Sequence, residues 1–276
     1  MELNIFDEYS SLKRVIVCSG ESVPESREGF NDTEFLKFHS LDDIWDKNRL
    51  LEQQKRFFDL LQEYGVELLL ADVNLSLPWQ IYTRDIGFVF KDKFFYSKQR
   101  TLASRVGEIS TVVGYIAPQD AVMVEGKMEG GDVLVDGDYV YIGISNRTNY
   151  RAVNSLNRYF EAVPLYLGDD VMHLDTRMTI LPNRHLLIYE EAFNDTDLRL
   201  LRGLFNLISV SKEEALSLGT NVFAINPETI VVDASQRRIA NELRRRGFNI
   251  ETIDYSEIIA NKGSFRCTTL PLVRED

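Results

Sequence analysis

The sequence of 276 residues is poor in the residue types that build covalent or metal-held scaffolds, with two cysteines and three histidines. Two thiols cannot form a disulfide framework or a four-thiolate zinc site. They can supply one nucleophile, so the surroundings of each cysteine become important. Glycine, proline and serine do not gather into a linker, and 44% apolar with 27% charged residues is an ordinary folded composition.

Long apolar runs are missing as well. No run approaches the roughly 18–20 residues that are needed to cross a bilayer. The first 14 residues lack the basic and then apolar pattern of a signal peptide. We therefore expect a cytoplasmic protein without a membrane partner.

Clustered positive charge is the third absence. The chain has 31 Lys and Arg against 43 Asp and Glu, a formal net charge of −12. Its one basic run, Arg244–Arg246, lies in a stretch with a helical pattern and is typical of a solvated helix face. Because a phosphate backbone binds to clustered Lys and Arg, we expect a small-molecule partner and no nucleic acid. The oligomeric state is open, with a homodimer among the choices.

Four stretches share one pattern, which is an apolar run, a polar turn and a second apolar run. Each stretch has the signature of a β-hairpin. They begin about 45 residues apart, and this regular spacing indicates an internal repeat. The four stretches are residues 86–97, 131–145, 178–190 and 221–233.

Each hairpin is followed by a segment of helical length, for example 149–160 or 234–246, and then by one more short strand. These further strands are predicted at 111–116, 162–167, 207–210 and 249–253. A fifth, more divergent copy consists of a strand at 14–18, a helix at 45–64 and a strand at 66–70. The predicted unit is therefore strand-strand-helix-strand, repeated about five times.

Repeats of this size cannot bury their own apolar faces, so we expect them to associate in one body. The prediction is a single α/β domain over residues 1–276. An unrelated set of hairpins in two α+β domains is the alternative.

Polar residues gather at equivalent places, just before the hairpins or close to the carboxyl end. Repeats that are arranged around an axis would bring these sites to one central point. The four groups are Thr83–Asp85, Glu129–Asp132, His173–Thr176 and Gly263–Thr268.

These residues make a coherent chemical set. Cys267 can serve as a nucleophile beside His173 as a general acid and base. The carboxylates of Asp85, Glu129, Asp132 and Asp175 suit a cationic substrate. A planar guanidinium fits best, because it matches carboxylates with two hydrogen bonds at a time.

Plainer interpretations stand beside this one. Cys267 taken alone is an inert buried thiol, and Cys18 in the apolar strand at 14–18 is a core residue. His173 with Asp175 and Glu129 is an alternative zinc-ligand set.

The four groups resemble the motifs of the guanidino-group modifying enzymes, the pentein superfamily of arginine deiminases, dimethylarginine dimethylaminohydrolases and amidinotransferases. The resemblance covers nearly the whole chain and rests on Tyr82–Asp85, Glu129–Asp132, His173–Thr176 and Arg266–Pro271, in the family's order. It implies a five-bladed α/β propeller of ββαβ units with pseudo-fivefold symmetry, and an enzyme without metal or other cofactor.

The resemblance also implies roles for individual residues. Cys267 would attack the guanidinium carbon to form an S-alkylthiouronium intermediate, with His173 as general acid and base and Glu129 beside it. Asp85 and Asp175 would bind the guanidinium nitrogens. Arg147 would bind the α-carboxylate of the substrate, and Arg105 resembles a second such arginine less closely.

The implied activity is hydrolysis of the guanidino group of arginine or a related compound. An amidinotransferase, which passes the amidino group to an amine, is the alternative. Arg84 and Asp175 resemble the deiminases, which favours an unmethylated or differently decorated guanidine. A metallohydrolase and a propeller that only binds a macromolecular partner are more distant hypotheses.

Overall fold

Three-stranded sheets are the repeating element of the computed structural model, which describes residues 2–25, 45–168 and 171–275. Within these ranges the strands are β1 (Ser11–Cys18), β2 (Glu67–Ala71), β3 (Gly87–Phe90), β4 (Lys93–Tyr96), β5 (Ala121–Met123), β6 (Val133–Asp136), β7 (Tyr139–Ile144), β8 (Glu161–Tyr166), β9 (Met178–Leu181), β10 (His185–Ile188), β11 (Asn206–Ser209), β12 (Phe223–Ala224), β13 (Thr229–Asp233), β14 (Asn249–Ile253) and β15 (Leu270–Glu275). The α-helices of the same ranges are α1 (Lys47–Glu63), α2 (Ile109–Val113), α3 (Tyr150–Leu156), α4 (Asp195–Leu204), α5 (Lys212–Leu216), α6 (Arg237–Arg245) and α7 (Ser256–Ala260).

All five sheets have the same topology. The first and second strands pair antiparallel, and the second and third pair parallel across the helical connection. The orders are β3-β4-β5, β6-β7-β8, β9-β10-β11, β12-β13-β14 and β15-β1-β2. These are five ββαβ blades, so the predicted five-bladed α/β propeller is confirmed.

Burial falls from the first strand of a blade to the third. Every residue of β3 and β9 is buried, and β15 is buried except for Glu275. The third strands, such as β2 and β14, are exposed or intermediate at most positions. The first strands therefore line the axis of the propeller, and the residues just before them lie around one end of that axis.

The fifth blade is built from both ends of the chain. Its first strand is β15, which pairs antiparallel with β1, while β1 pairs parallel with β2. The sequence pattern predicts strands at 14–18 and 66–70, which are β1 and β2, but none at 270–275. This pairing joins residues that are more than 250 positions apart, and it supports the proposal of one domain over 1–276.

One predicted strand is wrong. Residues 109–113 form the helix α2, and the third strand of that blade is β5, which pairs with β4. The β-branched run Thr111-Val112-Val113 favoured a strand locally. In the structure Val112 is buried in the core, and the Thr111 hydroxyl donates to the carbonyl of Glu108, so tertiary packing holds a helical turn here.

The other predicted elements are present with shifted ends. The helix predicted at 149–160 is α3. It begins after Asn149, whose side chain accepts from the Ala152 N–H and caps the helix. The helix predicted at 45–64 is α1, which Asp46 caps by accepting from the Arg49 N–H. The hairpin turn at Asn183 and Arg184 has positive φ at both residues, which suits a tight two-residue connection. No helix in the described ranges is long and apolar enough to cross a membrane.

Candidate active site

The candidate residues of the four motif groups precede the innermost strands of their blades, whereas Arg105 and Arg147 follow β4 and β7. Short 3₁₀ turns at Thr83–Ile86, Gly130–Asp132 and Leu174–Thr176 lead into β3, β6 and β9. Cys267 lies three residues before β15, and its carbonyl accepts from the Arg84 N–H at 3.2 Å. The predicted convergence of the four groups is therefore found at one end of the propeller axis.

A pocket opens at this end of the axis. Five of the eight predicted site residues are on its wall, and Glu129, Asp132 and Asp175 lie buried beneath it. The lining residues are Trp79, Tyr82, Asp85, Leu102, Arg105, Arg147, Met172, His173, Asn261, Lys262 and Cys267.

His173 is held between two carboxylates. Its Nε2 lies 2.8 Å from Oε2 of Glu129, and its Nδ1 lies 3.6 Å from Oδ1 of Asp85. Burial alone would lower the pKa of His173, but Asp85, Glu129 and Asp132 together raise it to about 9. At neutral pH the imidazole is therefore protonated and can act as a general acid.

Glu129 is a buried carboxylate among three arginines. Its oxygens lie 3.7 Å from Nε of Arg100, 3.9 Å from Nη1 of Arg105 and 3.3 Å from Nη1 of Arg147. Burial works to raise its pKa, but these arginines and His173 hold that pKa well below the ordinary value. Glu129 therefore stays ionised, and it can stabilise the positive charge of His173.

The two glycines of the Glu-Gly-Gly-Asp group make this arrangement sterically possible. A Cβ on Gly131 would lie 2.7 Å from Cγ and Nδ1 of His173. A Cβ on Gly130 would lie 2.2 Å from the carbonyl oxygens of Arg84 and Gly87. Side chains at either position would push the imidazole or the neighbouring turn out of place.

Cys267 is a buried thiol, 4% exposed, on the pocket wall. Burial and the carboxylates of Asp175 and Asp85 raise its pKa well above the ordinary value, while a backbone hydrogen bond and Arg266 act weakly in the opposite direction. In the absence of a ligand the group is a neutral thiol. A bound cation between the carboxylates and the sulfur would favour the thiolate, which is the nucleophilic form.

Asp175 is buried close to Cys267. Neither of its oxygens has a hydrogen-bond partner among the described residues, and Nε of Arg266 lies 3.6 Å from Oδ2. Burial raises its pKa, against the influence of Arg266 and His173. Arg266 is itself held from the other side by Glu8, whose Oε2 accepts from Nη1 at 2.9 Å.

Asp132 already uses both of its oxygens within the protein. Oδ1 accepts from the backbone N–H of Leu174 at 3.0 Å, and Oδ2 accepts from the Ser145 hydroxyl at 2.9 Å. Burial raises the pKa of Asp132 to about 6. These contacts fix the backbone next to His173, so the geometry suits a positioning role more than direct substrate binding.

The two arginines differ in their surroundings. Nη1 of Arg105 lies 2.6 Å from Oδ2 of Asp85, and its Nε donates to the Glu108 carboxylate. Arg105 thus neutralises one oxygen of Asp85, and Oδ1 of Asp85 remains directed at His173. Arg147 is bound to the protein through Glu129 and also lines the pocket, where it can meet an anionic group of a ligand.

Among the residues that the structure describes, one group of side chains has ligand atoms close enough for a metal ion. Atoms of Asp85, Glu129 and His173 lie within 4.8 Å of one another. This set differs from the zinc alternative in the sequence, which named Asp175 in place of Asp85. Arg105 and Arg147 contact the same carboxylates, and their positive charge opposes a divalent cation at this point.

Comparison with known proteins identifies the family. The family model of eukaryotic N,N dimethylarginine dimethylhydrolases matches residues 28–274. The chain belongs to this family. The uncharacterised protein YkgA of Bacillus subtilis is 36% identical over 273 residues, which are 97% of this chain and 94% of that protein.

More distant relatives agree with the family and with the fold. The N(G),N(G)-dimethylarginine dimethylaminohydrolase of Pseudomonas aeruginosa is 26% identical, with 82% of this chain and 89% of the relative covered. The crystal structure of the N-terminal domain of ArgZ, an arginine dihydrolase from Cyanobacteria, superposes with a TM-score of 0.84 at 20% identity and covers 96% of this chain and 98% of that domain. Membership of the dimethylarginine dimethylhydrolase family confirms the predicted resemblance to guanidino-modifying enzymes.

Two buried polar residues near the pocket, Asn221 and Arg100, were not among the predicted site residues, and neither were the lining residues Trp79, Leu102, Met172, Asn261 and Lys262. Asn221 precedes β12 in the fourth blade, and its Oδ1 lies 3.7 Å from the Cys267 sulfur. The repeat itself could have indicated Asn221, because it stands where the other blades carry their site residues. Arg100 donates to the Asp85 carbonyl and lies near Glu129, but it follows a strand in an irregular segment with no motif to mark it.

Proposed function

We propose that this protein hydrolyses a C–N bond in the guanidino group of arginine or a related guanidino compound, with Cys267 as the nucleophile. The observation that supports this most is the presence of Cys267, a protonated His173 and the Asp85 carboxylate on the wall of one pocket. Few substrates other than a guanidinium would use a thiol, an acid and several carboxylates together.

Binding is the first step. The planar cation enters between the pocket-facing Asp85 and the buried Asp175, and its positive charge offsets the two carboxylates that hold the thiol neutral. The thiol then releases its proton to solvent. Arg147 binds the carboxylate at the other end of an amino-acid substrate, in line with its place on the pocket wall.

Chemistry follows in two halves. The Cys267 thiolate attacks the guanidinium carbon, and as the C–N bond breaks the departing amine takes a proton from His173. This leaves an S-alkylthiouronium on the sulfur and a neutral imidazole. His173 then takes a proton from a water molecule, and the hydroxide adds to the same carbon. As the C–S bond breaks, the hydroxyl proton passes to the departing sulfur, so that a ureido product and the neutral Cys267 thiol are released and His173 is protonated again.

The remaining residues act through His173 and Cys267. Glu129 keeps His173 protonated for the first half and stabilises it again after the second. Asp132 and the glycines 130 and 131 hold the turns around the imidazole in place. The amidinotransferase alternative would use the same groups with an amine in place of water, and the hydrolase names of the relatives favour water.

A product screen tests the proposal. Purified protein is incubated with arginine, methylated arginines and agmatine, and mass spectrometry follows citrulline, ornithine, ureido products and amines. We expect a ureido product from at least one guanidine, and none from the Cys267→Ser variant with an unchanged circular dichroism spectrum. Substantial turnover by that variant would refute the mechanism, and a product that forms only with an added amine would show the transferase instead.

The predicted cytoplasmic location, the absence of nucleic-acid and membrane partners, and the homodimer stay predictions. A small-molecule substrate is the part of the partner prediction that the family supports.

A further inference from the structure

Asn221 joins two segments of the pocket. Its side-chain N–H donates to the Asp175 carbonyl at 2.9 Å, and its Oδ1 accepts from the Arg266 N–H at 3.0 Å. The residue is 1% exposed and comes from the fourth blade, whereas Asp175 and Arg266 belong to the third and the fifth. It is therefore a bridge between the turn that follows His173 and the turn that carries Cys267.

These two backbone bonds determine which end of the amide meets the nucleophile. Oδ1 of Asn221 lies 3.7 Å from Sγ of Cys267. Turning the amide over would place its NH₂ against the Arg266 N–H and its oxygen against the Asp175 carbonyl, and both contacts would become repulsive. The sulfur therefore always faces an acceptor, which can bind the thiol S–H but offers nothing to a thiolate.

The segment that carries Asn221 is held on its other side as well. The Thr220 hydroxyl donates to the Thr176 carbonyl at 2.7 Å, and the Thr179 hydroxyl donates to the Thr220 carbonyl at 2.6 Å. All of these groups are buried. Asn221 thus has little freedom to move away from the sulfur.

The sulfur has other ionisable neighbours, which act on it through charge. The carboxylates are Asp85 and Asp175, the arginines are Arg84 and Arg266, and the phenols are Tyr82 and Tyr255. His173 lies on the wall of the same pocket. Asn221 differs from these neighbours, because its side chain is not ionisable and its Oδ1 accepts from the Cys267 thiol.

We propose that Asn221 is a positioning residue that orients the Cys267 side chain and, by accepting from its S–H, favours the neutral thiol in the ligand-free protein. This inference rests on the proposed function, because it takes Cys267 as the nucleophile. It adds a residue that the four sequence motifs do not contain. If Asn221 acts in this way, the Cys267 sulfur reacts more slowly with electrophiles in the ligand-free protein.

The test is the pH dependence of alkylation of the ligand-free protein by iodoacetamide, with peptide mass spectrometry to separate Cys267 from Cys18. Asn221→Ala removes the acceptor, so we expect the midpoint for Cys267 to fall by about half a pH unit, or about threefold in the thiol–thiolate equilibrium. Asn221→Asp keeps the acceptor and adds negative charge, so we expect the midpoint to rise.

The two variants control for each other. Both lose the bond to the Asp175 carbonyl, so a loosening of the turn would shift their midpoints in the same direction. Opposite shifts support the inference, and shifts of the same sign or no shift in Asn221→Ala overturn it. Asn241→Ala, at an exposed position of α6, should leave the midpoint unchanged.

Failure of this inference is distinguishable from failure of the proposed function. Alkylation needs no turnover, and the product screen with the unaltered protein tests hydrolysis by itself. If the unaltered protein hydrolyses a guanidine and Asn221→Ala does not change the alkylation midpoint, only the role of Asn221 is wrong.

Discussion

Nε2 of His173 lies 2.8 Å from Oε2 of Glu129, and three arginines surround that carboxylate. In this buried network the Glu129 carboxylate balances the positive charge of the His173 ring, and the three arginines keep that carboxylate ionised. A histidine in water is mostly neutral at pH 7, whereas this one has a pKa raised to about 9. The pair is thus prepared to deliver a proton to a departing amine.

Removing the charge of Glu129 should lower the turnover number. In Glu129→Gln the imidazole loses its ionic partner, so less of it is protonated at neutral pH, and we expect kcat to fall roughly 100-fold or more, as general acid catalysis fails. Steady-state kinetics on the best substrate of the product screen measures this. Glu125→Gln, which removes an exposed carboxylate, is the matched control and should retain full activity. An active Glu129→Gln variant would remove Glu129 from the mechanism.

Stability should decrease as the pH rises through the titration of His173. The folded-state pKa of about 9 is above the ordinary value of 6.5, so the group stabilises the fold fully below pH 6.5. That contribution is lost as the pH rises through 9. Urea unfolding between pH 6.5 and 9.5 should show a falling free energy of unfolding, and His173→Gln should reduce this slope. An equal slope in both proteins would contradict the raised pKa.

Gly131→Ala should impair catalysis while the fold persists. The added Cβ would lie 2.7 Å from the His173 ring and has to displace it. We expect a loss of about 1–3 kcal/mol in the free energy of unfolding from the added strain. We also expect at least a tenfold fall in kcat, because the imidazole moves away from Glu129. Gly114→Ala is the control, since nothing lies within 4 Å of its Cβ position. Equal kinetics in the two variants would argue against the close contact.

Arg147→Gln should act on binding of the α-carboxylate. We expect KM for an amino-acid substrate to rise at least tenfold, and KM for a decarboxylated guanidine such as agmatine to change much less. Because Arg147 also contacts Glu129, a moderate fall in kcat should affect both substrates equally. Arg151→Gln, which is exposed and paired with Glu125, is the control. A parallel rise of both KM values would show that Arg147 does not bind the carboxylate.

The repeated pattern of the sequence predicted most of the fold, because strands with apolar faces and tight turns are local features. A strand was predicted at 111–116 from β-branched residues, and the packing of Val112 in the core explains why residues 109–113 are helical. The strand β15 was missed, because it pairs with β1 from the opposite end of the chain.

The candidate site was predictable where a motif carried it. Cys267, His173, Glu129 and Asp85 stand in recognisable groups, and the structure brings them together. Whether an oxygen of Asp132 faces substrate or the Leu174 N–H depends on the three-dimensional approach of two blades. The local sequence does not show how the two blades approach each other, so this contact of Asp132 could not be predicted. The position of Arg100 near Glu129 could not be predicted for the same reason.

The pairing of β15 with β1 has a consequence for how activity arises during folding. Cys267, the proposed nucleophile, stands three residues before β15, so we expect it to reach its place only after β15 has paired with β1. The other four blades can form from contiguous sequence, whereas the fifth blade forms only when β15 pairs with β1. A chain in which β15 has not paired with β1 does not hold Cys267 beside His173. The proposed active site is therefore completed in the same folding step that closes the propeller.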